Sequence, residues 1–257
     1  MPYLDDLLEA TGKRVAELKQ FVKQEVLEQR IASADAPRGF RRALRGPGTA
    51  IVAEIKRRSP SKGPLNDDLN PRELASAYAR GGASAISVLT EPDFFRGSME
   101  DLNAAREAGL PVLRKDFIVD PFQVFEARAW GADAVLLIVR ALGAEFPSLM
   151  RAVEALGMDA LVEVFDDEDL DRALDAGATT IGINHRDLTT FEVDPERTQK
   201  LAPRIPEDHT IVAFSGVTRR AEVETLASAG AHAVLVGESV VTASDPAAKV
   251  ADLAGRS

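Results

Sequence analysis

The stretch Ala127-Arg-Ala-Trp-Gly131-Ala-Asp-Ala-Val-Leu136 is one copy of a pattern that decides the fold of this chain. An alanine-rich segment typical of a helix ends at a glycine, and a short aliphatic run follows it. Glycine adopts the left-handed conformation that ends a helix at little cost. An aliphatic run of this length is typical of a strand buried on both faces. The stretch therefore predicts a helix, a tight turn and a buried strand.

The same pattern recurs along the chain, and its copies span residues 78–88, 104–113, 153–162, 173–181 and 226–235. Two further aliphatic runs, Ala50–Ile55 and Thr210–Phe214, complete a set of eight predicted strands. Alternating helices and strands indicate an α/β protein with a parallel sheet. Eight such units in 257 residues predict a (β/α)8 TIM barrel. The alternative is an open doubly wound sheet, but no Gly-x-Gly-x-x-Gly dinucleotide fingerprint follows any strand.

An N-terminal helical extension precedes the first strand. Apolar residues recur at helical spacing over Arg14–Arg30, and Asp5–Ala10 is expected to form a shorter, separate helix that ends before Thr11-Gly12. The extension is expected to cover one end of the barrel. We therefore expect a single domain, with the extension in residues 1–48 and the barrel in residues 49–257.

Composition excludes several classes of function. The longest aliphatic run, Ala134–Val139, is far shorter than the roughly 18 residues that cross a bilayer. There is no cysteine, which excludes disulfides, thiolate metal sites and cysteine nucleophiles. The net charge of −10 argues against nucleic-acid and membrane partners. The acidic N-terminus lacks a signal-peptide apolar region, so a cytoplasmic protein is expected.

Charged and amide side chains stand where predicted strands end. Glu54 and Lys56 end strand 1, Lys115 ends strand 3, Glu163 ends strand 5 and Asn184 ends strand 6. An unpaired buried charge costs on the order of several kcal/mol, so recurrence at equivalent places suggests a shared reason. The active site of a TIM barrel lies at the carboxyl ends of its strands. These residues are therefore predicted to form one active site.

The segments after strands 7 and 8 are predicted to bind phosphate. Ser215 and Gly216 follow strand 7, and Gly237, Glu238 and Ser239 follow strand 8. Backbone amides in these two loops often hold phosphate in a TIM barrel, and glycine permits a close approach. The side chains of Ser59 and Lys56 are expected to add donors.

Several motifs together resemble the signatures of the indole-3-glycerol phosphate synthase family. They are Ala53-Glu-Ile-Lys-Arg-Arg-Ser-Pro-Ser61, Leu89-Thr-Glu-Pro-Asp-Phe-Phe-Arg-Gly-Ser98, Pro111-Val-Leu-Arg-Lys-Asp-Phe-Ile118 and Gly182-Ile-Asn-His-Arg-Asp-Leu188. The resemblance implies a carboxy-lyase of tryptophan biosynthesis, which closes the indole ring of 1-(2-carboxyphenylamino)-1-deoxyribulose 5-phosphate and releases carbon dioxide and water. It implies no metal and no cofactor, a phosphorylated small-molecule substrate as partner, and a monomer or weak homodimer.

The resemblance also implies roles for the charged residues. Lys115 would be the general acid that polarises the substrate ketone, and Glu163 the base of the dehydration. Lys56 would contact the substrate and assist the dehydration, and Glu54 would orient Lys56 or share the role of base. Which lysine delivers which proton stays open. The alternative is a static network of ion pairs.

Substrate-binding roles are implied for a second group of residues. Asn184 and Arg186 would bind the substrate's hydroxyl and carboxylate groups, although an arginine after a strand is often only a surface ion pair. An apolar slot for the anthranilate ring is expected from Phe95, Phe117, Leu136 and Leu188, whose alternative role is plain core packing. The three histidines, His185, His209 and His232, share no spacing, so no metal site is expected.

Three positions depart from the family pattern, and one of them, Phe94 in place of a usual Tyr, is a small change. The family usually has Glu directly before the Ser-Gly of strand 7, where this chain has Phe214. It usually has a second Asn after Asn184, where this chain has His185, and we expect that side chain to point outward.

Two other functions remain to be weighed against the synthase. Phosphoribosylanthranilate isomerase has the same fold, but it conventionally uses a cysteine base, and this chain has no cysteine. The other is a phosphate-binding barrel that has lost catalysis. The retention of Lys56, Lys115, Glu163 and Asn184 argues against it, because an inactive site need not keep all four.

Overall fold

Eight parallel strands close into a barrel, which confirms the predicted TIM-barrel fold. The computed structural model describes residues 2–59, 62–187 and 192–256. The strands are β1 Ala50–Ile55, β2 Ala85–Leu89, β3 Val112–Lys115, β4 Ala134–Ile138, β5 Asp159–Val164, β6 Thr180–Asn184, β7 Thr210–Phe214 and β8 Ala233–Val236. Each strand pairs with its neighbours in chain order, and β8 pairs with β1 to close the sheet.

Helices alternate with the strands around the barrel. They are α1 Pro2–Phe21, α2 Gln24–Ala32, α3 Phe40–Ala43, α4 Pro71–Arg80, α5 Pro92–Phe95, α6 Met99–Ala105, α7 Pro121–Ala129, α8 Val139–Leu142, α9 Phe146–Ala155, α10 Asp167–Asp175, α11 Arg197–Leu201, α12 Arg220–Ser228, α13 Glu238–Val241 and α14 Pro246–Ala254. Within the described ranges, no helix combines the length and the apolar composition required to span a bilayer.

The six glycines of the repeated pattern stand at the turns where the sequence places them. All six have positive φ angles, from +69° at Gly157 to +104° at Gly230. A side chain in this region of φ is disfavoured, which explains why glycine recurs there. At Gly131 space is also short, because an added Cβ would lie 2.0 Å from the Arg106 guanidinium.

Alternate residues of each strand divide the core in two. One set, which includes Val52, Leu113 and Leu161, fills the interior of the barrel. The other set, which includes Ile51 and Val162, packs outward against the helices. This division follows from the two-residue period of a strand, and it determines which side chains reach the mouth of the barrel.

The N-terminal extension differs from the prediction in where its helices divide. α1 runs without a break through Thr11-Gly12 and ends at Phe21, so the expected separate helix over Asp5–Ala10 is wrong. Leu7, Thr11 and Val15 are buried, and their four-residue spacing puts them on one face of α1. Burial of that face outweighs the cost of about 1 kcal/mol for a glycine inside a helix.

The extension covers both ends of the barrel rather than one. At the carboxyl ends of the strands, Arg14 of α1 pairs with Glu91 at 3.1 Å. At the amino ends, the Arg41 amide of α3 donates to the Asp159 carboxylate at 2.9 Å. Phe40 of α3 and Leu7 of α1 both belong to the interior cluster. The interior is therefore closed below by α3 and partly covered above by α1.

The barrel interior contains a gap in its side-chain layer at Gly182 that the Phe214 ring fills. We expect Gly182→Ala to destabilise the fold by about 1–3 kcal/mol, because the added Cβ would lie 2.6 Å from Phe214 Cε1. Urea unfolding measures the change. In a Phe214→Leu background the same substitution should cost less than about 1 kcal/mol. An equal cost in both backgrounds would contradict this account.

Candidate active site

A cavity of about 240 Å³ opens at the carboxyl ends of the strands. Its lining contains carboxylates, lysines, aromatic rings and two glycine-containing loops. The lining residues are Glu54, Lys56, Ser59, Lys62, Phe95, Lys115, Asn184, Arg186, Phe214, Ser215, Gly216, Val217, Thr218, Leu235, Val236, Gly237 and Glu238. The predicted convergence of strand ends on one site is therefore present in the fold.

Strand alternation explains why charged side chains reach this cavity. Glu54 lies two residues after the interior residue Val52, and Lys115 lies two residues after Leu113. Because the period of a strand is two, each charged group faces the interior above an apolar layer. The apolar layer limits the positions that these side chains can adopt.

The Glu54 carboxylate lies between two lysines. Its Oε1 is 3.2 Å from Lys56 Nζ, and its Oε2 is 3.7 Å from Lys115 Nζ. Burial by itself would raise the pKa of Glu54, but the two ammonium groups outweigh it and lower the pKa below its ordinary value. Glu54 is therefore ionised and holds both lysine side chains at the mouth of the barrel.

Gly237 leaves the room that this ion pair occupies. A Cβ at this position would lie 2.4 Å from Glu54 Oε1 and 3.2 Å from Lys56 Nζ. The loop after β8 and the ion pair on β1 therefore meet at a position where an added side chain would displace the Glu54 carboxylate. The sequence predicted Gly237 only as a phosphate-binding residue, because a contact between β1 and the β8 loop is not visible in a local motif.

Glu163 reaches the cavity through Asn184. The Asn184 amide donates to Glu163 Oε1 at 2.8 Å, and the Ser215 hydroxyl donates to Asn184 Oδ1 at 2.8 Å. Burial raises the pKa of Glu163, although Lys115 and the bond from Asn184 oppose this rise. A carboxylate with a raised pKa is suited to accept a proton near neutral pH. Glu163 itself does not line the cavity.

The loops after β7 and β8 form the other side of the cavity. Ser215 and Gly216 have consecutive positive φ angles of +78° and +84°. Among the described residues, no backbone carbonyl accepts a hydrogen bond from the amides of Gly216 or Gly237. Free amides beside a cavity are suited to an anion.

Two further polar side chains belong to these loops. Lys62 lines the cavity and pairs with Glu238 at 2.6 Å. It was absent from the predicted site, because nothing in its local sequence distinguishes it from a surface lysine. The Ser239 hydroxyl donates to the Val217 carbonyl at 3.2 Å, and Ser239 does not line the cavity. In this structure its side chain joins the two loops.

The predicted apolar slot is present only in part. Phe95 lines the cavity, and its ring centroid lies 6.4 Å from that of Phe117. Phe117 and Leu136 do not line the cavity, and they belong to the interior cluster. The structure therefore shows Phe117 and Leu136 in a packing role. Leu188 lies outside the described residues.

Phe214 occupies the position where the family usually has a carboxylate. The ring is almost wholly buried, lines the cavity and fills the space beside Gly182. Lys115 Nζ lies over its face, 5.9 Å from the ring centroid. At that distance a cation–π attraction is weak, so Glu54 remains the principal partner of Lys115.

His185 does not line the cavity, in keeping with the expected outward direction of its side chain, but it is buried. Its Nε2 lies 2.7 Å from the Thr198 hydroxyl, and its Nδ1 lies 3.2 Å from the Ser215 carbonyl. The residue after a strand points away from the barrel axis, and here the chain after β6 folds over that side.

Among the described residues, no three His, Asp or Glu side chains are grouped closely enough to hold a metal ion.

The fold is shared with solved structures of low sequence similarity. A thiamine phosphate pyrophosphorylase from Pyrococcus furiosus superposes with a TM-score of 0.61 at 21% identity, over 82% of this chain and 95% of that one. An N-acetylmannosamine-6-phosphate 2-epimerase from Clostridium perfringens gives 0.61 at 17% identity, over 80% and 93% of the two chains. These similarities establish the fold alone.

Sequence comparison is more specific. The family model for indole-3-glycerol phosphate synthase matches residues 4–253. Proteins named indole-3-glycerol phosphate synthase from Mycolicibacterium gilvum and Mycolicibacterium smegmatis are 51% and 50% identical, each over 97% of this chain and 93% of the relative. One from a Parafrankia species is 48% identical over 98% of this chain and 95% of the relative. The chain therefore belongs to the indole-3-glycerol phosphate synthase family.

Proposed function

We propose that side chains of the cavity, together with the adjacent Glu163, carry out both halves of the family's reaction without a cofactor. The chain is a lyase of tryptophan biosynthesis, and it closes the indole ring of 1-(2-carboxyphenylamino)-1-deoxyribulose 5-phosphate. The observation that carries the assignment of roles is the Glu54 carboxylate held between Lys56 and Lys115 at the mouth of the barrel. Two ammonium groups, which could donate protons, and one carboxylate lie at the mouth of a single cavity.

Ring closure is assigned to Lys115. The aromatic carbon that bears the carboxylate attacks the C2 ketone, and Lys115 donates a proton to the ketone oxygen as it becomes a hydroxyl. Loss of carbon dioxide then restores the aromatic ring. Lys115 is 21% exposed in its side chain and faces the cavity, so it can reach a bound ligand. Glu54 orients its ammonium group.

Dehydration is assigned to Glu163 with help from Lys56. The new hydroxyl leaves as water, with a proton delivered by a lysine, and Glu163 removes the proton that completes the indole. The hydrogen bond from Asn184 fixes the orientation of the Glu163 carboxylate. Asn184 therefore acts as a positioning residue in addition to its predicted role in binding the substrate. Arg186 and Ser59, which also line the cavity, complete the polar contacts to the substrate.

The substrate phosphate is assigned to the loops after β7 and β8. Its ligands would be the backbone amides of Gly216 and Gly237. Ser215, Glu238 and Ser239 lie beside them in the same two loops and would complete the phosphate site. The Glu238 carboxylate is paired with Lys62, which offsets its repulsion toward a phosphate. The anthranilate ring would then lie against Phe95, at the other side of the cavity.

We also infer that the protein works in the cytoplasm as a monomer or weak homodimer. The acidic net charge of −10 disfavours binding to nucleic acids and anionic membranes. Size-exclusion chromatography with light scattering over a concentration series measures the oligomeric state.

Replacement of Lys115 tests the assignment of the general acid. We expect Lys115→Met to lower kcat by about 10²–10⁴-fold, because a positioned proton donor contributes that much. Indole fluorescence during incubation with the carboxyphenylamino-deoxyribulose phosphate measures turnover. Wild-type turnover by Lys115→Met would refute the role of Lys115. Absence of product from wild type at high enzyme concentration would refute the synthase assignment.

Position 214 tests the effect of the lost carboxylate. We expect Phe214→Glu to raise kcat/KM, because a carboxylate there would pair with Lys115, whose Nζ now lies over the ring. Glutamine has nearly the shape of glutamate without its charge, so Phe214→Gln serves as the matched control. An equal or lower kcat/KM in Phe214→Glu would mean that the site has adapted to the ring.

The pH dependence of kcat/KM tests the role of Glu163. The base must be ionised, so activity should fall as pH decreases through its pKa, which burial places above the ordinary value of 4.5. Asn184→Ala removes a bond that lowers this pKa, so the acid limb should move to higher pH. Ser59→Ala, in the segment after β1, should leave the acid limb at the same pH. If the acid limb lay at the same pH in both variants, Glu163 would be excluded as the titrating group.

A further inference from the structure

His185 joins three segments of the chain beside the cavity. Its amide donates to the Phe214 carbonyl at 3.0 Å, and its own carbonyl accepts from the Asp194 amide at 2.9 Å. Its ring lies between the Ser215 carbonyl at 3.2 Å and the Thr198 hydroxyl at 2.7 Å. The end of β7, the segment after β6 and helix α11 therefore converge on one buried side chain.

We propose that His185 is a positioning residue that holds the loop Ser215–Gly216 in the shape that receives the substrate's phosphate. The inference rests on the proposed function of that loop. His185 does not line the cavity, and the proposed mechanism gives it no contact with the substrate. It acts through the Ser215 carbonyl, on the side of the loop away from the ligand.

The loop requires such support because its conformation is unfavourable. Ser215 has a φ angle of +78°, in the left-handed region that a residue with a side chain rarely adopts. Strained backbone of this kind persists only where the surroundings hold it. The Ser215 hydroxyl is held by Asn184, and its carbonyl is held by His185. The following residue, Gly216, packs under Val193, whose Cγ1 would lie 3.0 Å from an added Cβ.

The contacts of His185 fix the position of its proton. A carbonyl oxygen only accepts, so the bond to Ser215 places the hydrogen on Nδ1. Nε2 of the neutral ring then accepts from the Thr198 hydroxyl. Burial lowers the pKa of His185, the bond to Ser215 opposes this, Arg197 lowers it further and Asp194 raises it. The imidazole is therefore neutral at pH 7, with a single tautomer.

Thr198 is itself firmly placed. It is fully buried near the start of α11, and the adjacent Arg197 donates through Nη1 to the Asn184 carbonyl at 2.5 Å. The support for Ser215 therefore extends from α11 through Thr198 and His185 to the loop. Removal of either polar side chain of this pair should loosen the same loop.

Three variants separate positioning from a structural role. His185→Leu removes both ring contacts, His185→Gln retains a side-chain donor for the Ser215 carbonyl, and Thr198→Val removes the hydroxyl alone. We expect His185→Leu to raise both the KM for the substrate and the Kd for inorganic phosphate by about fivefold, the effect of one lost hydrogen bond. We expect kcat to fall by less, and His185→Gln to recover part of the affinity.

Calorimetric titration with inorganic phosphate and steady-state kinetics measure these constants. In wild type, the imidazole ¹⁵N signals should show a protonated Nδ1 and an unprotonated Nε2, and this measurement needs no variant to fold. Unchanged Kd and KM in both His185→Leu and Thr198→Val, even with a lower Tm, would overturn the inference, as would the opposite tautomer. Failure of wild type to bind phosphate or turn over substrate would instead refute the proposed function.

Discussion

The two-residue period of a strand, closed into a barrel, is the constraint on which the site depends. Every second side chain of each strand faces the interior, so the last inward residues of neighbouring strands meet at one mouth. Apolar residues such as Val52, Leu113 and Leu161 fill the layer below. Charged side chains can then stand at the mouth without entering the core, where an ion would lose its hydration. Packing of this apolar layer supports the charged groups from below.

Two buried carboxylates at this mouth have opposite pKa shifts. Glu54 has a lysine within 4 Å on each side and is held ionised. Among the described residues no lysine lies that close to Glu163, and its pKa is raised. Pairs of carboxylates whose surroundings push their pKa values apart commonly divide their roles. In the proposed mechanism, Glu54 orients the ammonium groups and Glu163 exchanges a proton, and the different number of neighbouring lysines supports that division of roles.

The sequence predicted most of the fold because its signals are local. Glycine after a helix and an aliphatic run identify each strand, and Ala50–Ile55 and Thr210–Phe214 match the structure residue for residue. The sequence did not reveal features that depend on contacts between segments far apart in the chain. The helix α1 continues through Gly12 because its buried face packs on the barrel, and His185 is buried because α11 supplies Thr198. Of the site, the charged strand ends were predictable, whereas Lys62 and the close contact of Gly237 with Glu54 depend on segments far apart in the chain.

The way that α3 closes the bottom of the barrel has a consequence for the order of folding. Arg45, just after α3, donates to the His209 carbonyl, 164 residues further along the chain, and contacts His232, 187 residues further along. On the ribosome these partners emerge more than a hundred residues after α3 itself. An early segment of the chain therefore acquires its full set of contacts only when the last strand has joined the sheet. Until then Phe40 lacks part of its apolar surroundings, so completion of the barrel and docking of its N-terminal end are one late, cooperative event.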